Sequence, residues 1–548
     1  MRYLFLLLIV LPLSALDFWS QVPNEELIER LLNAMRPQDL AGQVLIFAYP
    51  GETPSERLLG WIQNNNLGGV KIFGWNANNL EMLTTAIRRM QESSQSNSLK
   101  IPLFIATDQE GGWVRHVRFN TSMTSGNMSI GATRLGWDAY QTGRLIGEEL
   151  KALGINFNFA PTVDLATNPE AHVIGTRAFS NNPIQAAILS VAFYKGLEEA
   201  GVIATAKHFP GHGRASEDSH GKLPKIMVSW DELYQQDLLP YQYLIRENVP
   251  AIMSGHLSFP QITGNEEPAS LSAFFATEVI RNRLKFNNIL ITDDLFMEGA
   301  QLKGRSLPEV AELAFRAGHD LILISQPQEQ LNATLQRFAR LAQNDTAFRE
   351  RLKTSVRRIM RIKLRYLRGA HPVPLYPQAS QAQRLIPAEG SNEFFFQQAA
   401  RSVTFYRNQN LPWPSNPGRV LLVTPYGRSL QILRTRTAQV DVLEYSYNPF
   451  YGFDPQVRDN LRQLAERYDR ILFNLVTPGS VQLLMALESW SPKVTVLSQL
   501  SPTPLLKTPW VRSAVLVWGQ GIENIELGIA AIFGDFQPRG RLPIPLTQ

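Results

Sequence analysis

Residues 202–220 read Val202-Ile203-Ala204-Thr205-Ala206-Lys207-His208-Phe209-Pro210-Gly211-His212-Gly213-Arg214-Ala215-Ser216-Glu217-Asp218-Ser219-His220. The first five residues are apolar or β-branched, which favours a short buried strand. The strand ends in Lys207-His208 and opens into a polar loop, and this stretch holds three of the chain's eight histidines. Ionisable groups at the C-terminal end of a strand are typical of active sites in barrel enzymes. The competing interpretation is a solvated turn without chemistry.

Apolar runs of this kind alternate with helix-like segments through the first part of the chain. Strands are predicted at residues 44–49, 69–73, 103–107, 155–160, 202–206, 251–254, 289–292 and 320–325. Helices are predicted at residues 80–91, 137–153, 183–200, 230–247 and 273–284. Such alternation indicates parallel strands joined by right-handed crossovers. Eight units over roughly 330 residues favour a closed (β/α)8 barrel of the TIM type over an open doubly wound sheet.

A second, smaller domain is predicted after the barrel. Residues 348–368 are helix-like and rich in Arg, and residues 371–390 contain four prolines and have the composition of an extended linker. Apolar runs return at residues 419–424, 440–444, 470–475, 494–497 and 514–517. The chain is therefore divided into a signal peptide (1–16), a catalytic barrel (17–370), a linker (371–390) and an α/β sandwich of parallel strands (391–548).

Composition excludes several classes of protein. The chain has 548 residues, of which 44% are hydrophobic and 18% charged, which is typical of a globular protein with more than one domain. The net charge of +5 is small and no basic run stands out, so nucleic-acid binding is disfavoured. The absence of cysteine rules out disulfides, thiolate zinc sites and a thiol nucleophile.

The N-terminus has the pattern of a secretory signal peptide. Arg2 precedes an apolar run over residues 3–16 that ends near the small residues Ser14-Ala15. A bilayer span takes about 20 apolar residues, so this run is short for a membrane helix. We expect an exported protein, periplasmic or extracellular. The alternative is a protein anchored by an uncleaved N-terminal segment.

Reactive side chains follow several of the predicted strands. Asp108-Gln109-Glu110-Gly111-Gly112 follows the third strand, His256 follows the sixth, and Asp293-Asp294 follows the seventh. The C-terminal ends of barrel strands meet at one mouth. These residues are therefore expected to converge with Lys207-His208 although they lie far apart in sequence.

Asp218-Ser219-His220 supplies a carboxylate two residues before an imidazole. On a flexible loop the carboxylate can fix the His220 tautomer and raise the pKa of the ring from about 6.5. His220 could then donate a proton in one step and recover it in the next. The alternative is a loop salt bridge without a catalytic task.

Asp293 follows an apolar strand directly and is a candidate carboxylate nucleophile. Asp294 is the competing candidate, and only one of the two is expected to face the centre because successive strand residues point to opposite faces. The alternative for both is that they cap a helix over residues 295–300.

Four residues of mixed charge are candidate substrate ligands: Asp108, Arg177, Lys207 and His208. Their mixture of donors and acceptors favours a neutral, hydroxyl-rich ligand over a phosphate, and structural ion pairs are the alternative. Shared metal binding by the clustered histidines is disfavoured, because their Gly/Pro-rich spacing gives no helical i, i+4 face. His212 is expected to structure its loop. The remaining histidines without a partner signal are expected to be structural or solvated: His116, His172, His319 and His371.

Gly519-Gln520-Gly521 begins like a dinucleotide-binding loop, but Asn524 stands where that motif has its third glycine. A structural turn is therefore the preferred interpretation.

The 207–220 segment resembles the signature of glycoside hydrolase family 3, in its β-N-acetylhexosaminidase branch. That signature is Lys-His-Phe-Pro-Gly-His-Gly, four variable residues, then Asp-Ser/Thr-His, and residues 207–220 match it throughout. Residues 108–112, 173–179 and 292–300 resemble further blocks of the family, and residues 534–543 resemble the end of its second domain.

The resemblance implies an exo-acting, retaining β-N-acetylglucosaminidase that trims cell-wall (peptidoglycan) or chitin-derived oligosaccharides, with no cofactor and no metal. It implies Asp293 as nucleophile and His220, assisted by Asp218, as acid/base. It also implies that Asp108, Arg177, Lys207 and His208 bind the terminal N-acetylglucosamine. A transient association with the cell wall is the expected partner interaction.

Two alternatives and two departures from the family pattern accompany this prediction. The alternatives are a phosphorylase, which uses phosphate as the acceptor, and a sugar-binding protein that has lost turnover. The departures are His116, which stands where the family often has Arg, and Trp113, which replaces a common polar residue. Arg115 or Arg118 is the candidate to compensate.

Overall fold

The first domain is a barrel of eight parallel strands. The structure is a computed structural model that describes residues 16–219, 221–301, 304–325, 327–446 and 455–546. The barrel strands are β1 (Leu45–Ala48), β2 (Gly69–Ile72), β3 (Phe104–Thr107), β4 (Phe157–Asn158), β5 (Ile203–Phe209), β6 (Ala251–Ser254), β7 (Ile289–Thr292) and β8 (Ile322–Ile324). Each of the eight predicted strands therefore has a counterpart within a few residues.

The sheet closes on itself. Each strand pairs in parallel with the next from β1 to β7, β1 pairs with β8 through Leu45 and Ile322, and a parallel bridge joins Ile291 to Leu321. The strand residues are buried on both faces, by side chains inside the barrel and by helices outside it. The predicted (β/α)8 barrel is confirmed.

Helices cover the outside of the barrel and continue into the second domain. In the barrel they are α1 (Asn24–Ala34), α2 (Pro37–Gln43), α3 (Glu56–Asn65), α4 (Leu80–Gln95), α5 (Asn127–Thr133), α6 (Gly136–Ala152), α7 (Pro183–Ala200), α8 (Trp230–Gln235), α9 (Leu239–Arg246), α10 (Pro260–Thr263), α11 (Leu307–Ala317), α12 (Gln328–Asn344) and α13 (Thr346–Leu367). A π-helix spans Phe274–Arg283.

The helix boundaries follow local chemistry. Helix α7 begins where the Asn182 side chain accepts from the Gln185 N–H, and it ends at Gly201 with φ +86°. The single helix predicted over residues 230–247 is instead two, α8 and α9. Pro240 lacks an N–H and therefore stands in the first turn of a new helix.

The second domain is a six-stranded sheet between helices. Its strands are β9 (Thr404–Asn408), β10 (Val420–Thr424), β11 (Val440–Glu444), β12 (Arg470–Leu475), β13 (Val494–Ser498) and β14 (Ser513–Leu516), in the order β9-β14-β13-β12-β10-β11. Its helices are α15 (Ser391–Ser402), α16 (Gly427–Arg434), α17 (Pro455–Ala465), α18 (Ser480–Met485) and α19 (Ile522–Phe533). Helix α14 (Ala379–Leu385) precedes them and packs against the barrel helices α4 and α6.

The prediction of parallel strands only is wrong for this sheet. The first strand, β9, pairs antiparallel with β14. It lies at the sheet edge, is only partly buried and contains Arg407 and Asn408, so it lacks the continuous apolar run that marks a central parallel strand. The predicted linker is not wholly extended either, because α14 lies within it.

The two domains share contacts near the mouth of the barrel. Met128 and Ala132 of α5 belong to the hydrophobic core of the second domain. The Asn524 side chain donates to Ser125 Oγ at 2.8 Å, and the Gln398 side chain donates to Ser129 Oγ at 2.9 Å, both in buried positions. The second domain is therefore packed beside the loops in which active-site residues are expected.

The predicted signal peptide lies outside the described residues up to position 15. Close after it, Phe18 is fully buried and its N–H donates to the Leu99 carbonyl at 2.9 Å. Within the described ranges, no helix combines the length and the apolar character that a membrane crossing requires.

Candidate active site

A cavity of about 700 Å³ lies at the C-terminal ends of the barrel strands. Five residues that the sequence analysis singled out line it together: Asp108, Arg177, Lys207, His208 and Asp293. The expected convergence on one mouth is therefore observed for these residues. We call this space the catalytic cavity.

Strand β5 brings two consecutive side chains to the cavity. Lys207 and His208 both line it, although neighbours in a regular strand point to opposite faces. The pairing of β5 with β6 shifts register between Ala206 and Phe209. Such an irregularity turns a strand locally and re-aims its side chains, so both residues of the pair can face the same space.

Asp108 is held between two ammonium groups. Its carboxylate lies 2.5 Å from Lys207 Nζ and 2.8 Å from Lys71 Nζ. Burial alone would raise the pKa of Asp108, but the charges of Lys207 and Lys71 outweigh it and hold the pKa well below its usual range. Asp108 is therefore an ionised hydrogen-bond acceptor at the cavity wall.

Glu110 forms a second buried anion; it belongs to the segment expected at the barrel mouth but was not among the candidate substrate ligands. It accepts from Arg177 at 2.8 and 2.9 Å, and Lys207 Nζ lies 2.7 Å away. Burial raises the pKa of Glu110, and the charges of Arg177 and Lys207 overcome this and lower it to about 2. Arg177 and Lys207 therefore belong to a structural ion network as well as to the cavity wall. In the sequence, Glu110 was marked only by its position two residues after Asp108.

His208 is oriented by Asp164, another residue that sequence reasoning missed. Its Nδ1 lies 2.7 Å from Asp164 Oδ2, and its Nε2 lies 3.2 Å from the Arg177 guanidinium. Asp164 also accepts from the backbone N–H of His212 at 2.7 Å. Asp164 therefore ties the end of β5 to the loop that follows, and His212 structures that loop as expected.

Asp293 and Asp294 both line the cavity but differ in what their carboxylates do. The Asp294 carboxylate accepts from the N–H groups of Phe296 and Ser325, both at 3.1 Å, and so fixes the turn after β7. Asp293 accepts from the Asp294 N–H at 2.8 Å. Burial raises the pKa of Asp293, but nearby His208, His256 and Lys71 lower it overall, which favours the ionised form that a nucleophile needs.

The loop with the family signature is anchored on both sides of Asp218. Arg214 donates to Asp237 at 2.9 Å and to Glu232 at 2.7 Å. A Cβ on Gly213 would lie 1.6 Å from the Leu165 carbonyl oxygen, so only glycine fits there. The Ser219 carbonyl accepts from the Gly299 N–H at 3.0 Å, and Ser219 lines the cavity. His220 lies outside the described residues, and its predicted role stays a prediction.

His116 contradicts its expected structural or solvated role. It lines the catalytic cavity, and its Nε2 lies 3.5 Å from Asp108 Oδ2. Arg115 and Arg118, the candidates to compensate for the family Arg, do not line this cavity. They line a second one, about 270 Å³ in volume, between the two domains.

Three further histidines are held by local contacts. His172 pairs with Glu170 at the surface, at 3.4 Å. His319 is buried against Ser254 Oγ at 2.7 Å, and burial lowers its pKa to about 3. His256 is also buried, with Nδ1 2.7 Å from Ser270 Oγ. His256 was expected at the barrel mouth with Lys207-His208, but it does not line the catalytic cavity; it is fully buried behind the wall, where the charge of Asp293 acts on it.

Comparisons with known proteins agree with this architecture. The N-terminal domain of glycosyl hydrolase family 3 matches residues 38–362. The chain is 31% identical over 430 residues to "Beta-hexosaminidase A" of Pseudoalteromonas piscicida, covering 73% of this chain and 70% of that protein. It is 36% identical over 265 residues to a "Beta-hexosaminidase" of Tolumonas auensis, covering 48% of this chain and 76% of that protein.

A solved structure extends the likeness to both domains. The family 3 β-N-acetylglucosaminidase from Paenibacillus sp. str. FPU-7 superimposes with a TM-score of 0.83 at 25% identity, over 94% of this chain and 99% of that one. Barrel, second domain and their order along the chain are common to both. The chain therefore belongs to glycosyl hydrolase family 3, with the β-N-acetylhexosaminidase members of that family, and it is a glycoside hydrolase.

Proposed function

We propose that this chain is a retaining, exo-acting β-N-acetylglucosaminidase that acts on oligosaccharides derived from the cell wall or chitin. The observation that carries the proposal is the ionised Asp293 in the same cavity as Asp108, Arg177, Lys207 and His208. The likeness to proteins named β-hexosaminidase and β-N-acetylglucosaminidase supports the choice of sugar.

In the proposed reaction, a carboxylate oxygen of Asp293 attacks the anomeric carbon. The bond from that carbon to the glycosidic oxygen breaks, and His220 gives its proton to the leaving oxygen. Water then attacks the anomeric carbon of the glycosyl ester while His220 accepts a proton from that water, and Asp293 is released as carboxylate. Two displacements retain the configuration. The low pKa of Asp293 supports its role as attacking group.

The charges of the catalytic cavity suit a neutral sugar. Five carboxylates line it, from Asp108, Glu110, Asp293, Asp294 and Glu298, against the three permanent cations Lys71, Arg177 and Lys207. An excess of negative charge repels phosphate but presents many hydrogen-bond partners to hydroxyl and amide groups. This balance favours water over phosphate as the acceptor.

We expect the purified protein to have a higher kcat/KM for 4-nitrophenyl β-N-acetylglucosaminide than for 4-nitrophenyl β-glucoside. The first sugar product should be the β-anomer in a time-resolved ¹H NMR spectrum, since retention is proposed. Equal or greater activity on the glucoside would contradict the choice of sugar. If inorganic phosphate accelerates turnover and sugar 1-phosphate is formed, the protein is a phosphorylase. If it binds the sugar without turnover, it is a sugar-binding protein.

Asp218→Asn should move the basic limb of the kcat/KM–pH profile to lower pH. A carboxylate beside His220 stabilises the imidazolium, so removing its charge lowers the pKa of the ring. A group that must donate a proton is active only below its pKa, and the active range therefore narrows from the alkaline side. If Asp218→Asn keeps the unfolding temperature of the unmodified protein and its basic limb does not shift, Asp218 does not assist the acid/base residue.

We also propose export, on the pattern of Arg2, the apolar run over residues 3–16 and the small residues Ser14-Ala15. The first fully buried side chain of the described residues, Phe18, follows directly after that run, which is compatible with cleavage near Ala15. N-terminal sequencing of protein recovered from outside the cytoplasm tests this, and a mature chain that begins at Met1 would argue for the anchored alternative.

A further inference from the structure

A second cavity lies between the barrel and the second domain and adjoins the catalytic cavity. Trp113 lines both cavities, and it is 45% exposed. Thr176 lines the second cavity while its chain neighbour Arg177 lines the first. The far wall comes from the second domain, through Arg428 and Gln520. A ligand that occupies both spaces would pass over the Trp113 ring.

Three arginines line this second cavity, Arg115, Arg118 and Arg428, and none of the described residues that line it is acidic. We call it the arginine cleft. Its charge is the reverse of that in the catalytic cavity, where carboxylates outnumber permanent cations. Two adjoining spaces of opposite charge are suited to one ligand with a neutral end and an anionic end.

Protein carbonyls, not carboxylates, hold these arginines. Arg115 donates to the Ser122 carbonyl at 3.1 Å, Arg118 to the Arg115 carbonyl at 3.1 Å, and Arg428 to the Gln520 carbonyl at 2.7 Å. Across the described ranges, no carboxylate forms an ion pair with any of the three within 4.0 Å. The Nε of Arg428 is buried and has no hydrogen-bond partner among the described residues. The guanidinium groups are therefore positioned by carbonyl oxygens, and the only carboxylate charge that acts on Arg115 among the described residues is that of Glu149, which lies beyond ion-pair distance.

We propose that the arginine cleft binds a carboxylate carried by the leaving-group sugar of the substrate. This inference rests on the proposed function. The terminal N-acetylglucosamine fills the catalytic cavity, the second sugar packs against Trp113, and its carboxylate reaches Arg118 and Arg428. Arginine suits this task because its planar donors match a carboxylate and its charge is permanent. An acceptor phosphate would instead have to enter the acidic catalytic cavity, where the anomeric carbon lies.

The test compares two disaccharides that differ in one charge. Both consist of N-acetylglucosamine β-1,4-linked to a second N-acetylglucosamine whose O3 carries a 1-carboxyethyl ether, as the free acid in one and as the carboxamide in the other. The readout is the ratio of kcat/KM for the acid to kcat/KM for the amide. We expect a ratio well above one for the unmodified protein. The ratio should fall with added salt, which screens partly exposed charges.

Arg428→Gln and Arg118→Gln should each lower that ratio about tenfold, the size expected for one charge-assisted hydrogen bond. Arg434→Gln is the matched control, because Arg434 is an exposed residue of the same helix α16 and does not line the cleft. Its ratio should equal that of the unmodified protein. Unfolding temperatures of all three variants check that the domains remain packed.

The outcomes separate this inference from the proposed function. If the unmodified protein cleaves both disaccharides with equal kcat/KM and Arg428→Gln leaves the ratio unchanged, the carboxylate site is wrong and the glycosidase stands. If it cleaves neither disaccharide nor the aryl N-acetylglucosaminide, the proposed function itself is wrong. If Arg428→Gln abolishes sugar 1-phosphate formation from added inorganic phosphate without changing the ratio, the cleft serves phosphate and the inference is overturned.

Discussion

Asp293→Ala is expected to lower kcat on the aryl N-acetylglucosaminide by at least roughly 10³-fold, because it removes the attacking group from both displacements. The side chain is half-buried in the cavity wall, and its ionised form is favoured by His208, His256 and Lys71. The carboxylate next to it in the chain, that of Asp294, is engaged elsewhere because it accepts from the N–H groups of Phe296 and Ser325. Single-turnover and steady-state kinetics measure the loss.

Azide provides the control that distinguishes a nucleophile from a binding residue. The space left by the Asp293 carboxylate can admit a small anion, which attacks the anomeric carbon once and gives the α-glycosyl azide. We expect azide to restore measurable turnover in Asp293→Ala and to leave the unmodified enzyme unchanged. Asp294→Ala, with no comparable loss of chemistry expected, is the matched variant. If instead Asp294→Ala loses activity that azide restores, while Asp293→Ala remains active, then Asp294 is the nucleophile and Asp293 is not.

Lys207→Met is expected to destabilise the barrel by about 3 kcal/mol and to abolish sugar binding. Lys207 is 2% exposed and is shared by Asp108 at 2.5 Å and Glu110 at 2.7 Å. Methionine has a similar volume, so the change removes mainly the charge. Removing one partner of a buried ion pair costs about 3–5 kcal/mol because an uncompensated charge is left behind. Lys71 and Arg177 still neutralise part of that charge, so we expect a loss of stability at the lower end of this range.

Urea denaturation at pH 7, followed by tryptophan fluorescence, gives the change in the free energy of unfolding. Lys225→Met is the matched control, since Lys225 pairs with Glu266 at 2.6 Å with both side chains more than half exposed. An exposed pair contributes only about 0–1 kcal/mol. Equal effects of the two substitutions would show that the Lys207 network adds no more to stability than a surface ion pair does.

Much of this architecture was predictable because its signals are local. A strand buried on both faces, such as β7, appears as an unbroken apolar run, and the position of Asp293 directly after that run predicts its place at the barrel mouth. β9 gave no such signal, because its mixed sequence is typical of a sheet edge. Pro240 was a local signal for the break between α8 and α9, but the helix-like apolar pattern on both sides of it favoured a single helix.

The alternation of strands and helices, the two-domain order and the family could be predicted because each depends on residues close together in the chain. Which charges meet could not be predicted in this way. Asp164 carries no distinctive spacing and Glu110 is marked only by its place two residues after Asp108, yet they hold His208 and Arg177 in place. Arg428 lies more than 300 residues beyond Arg118, yet both line one cleft. Electrostatic interaction depends on distance in space, which only the packed fold sets.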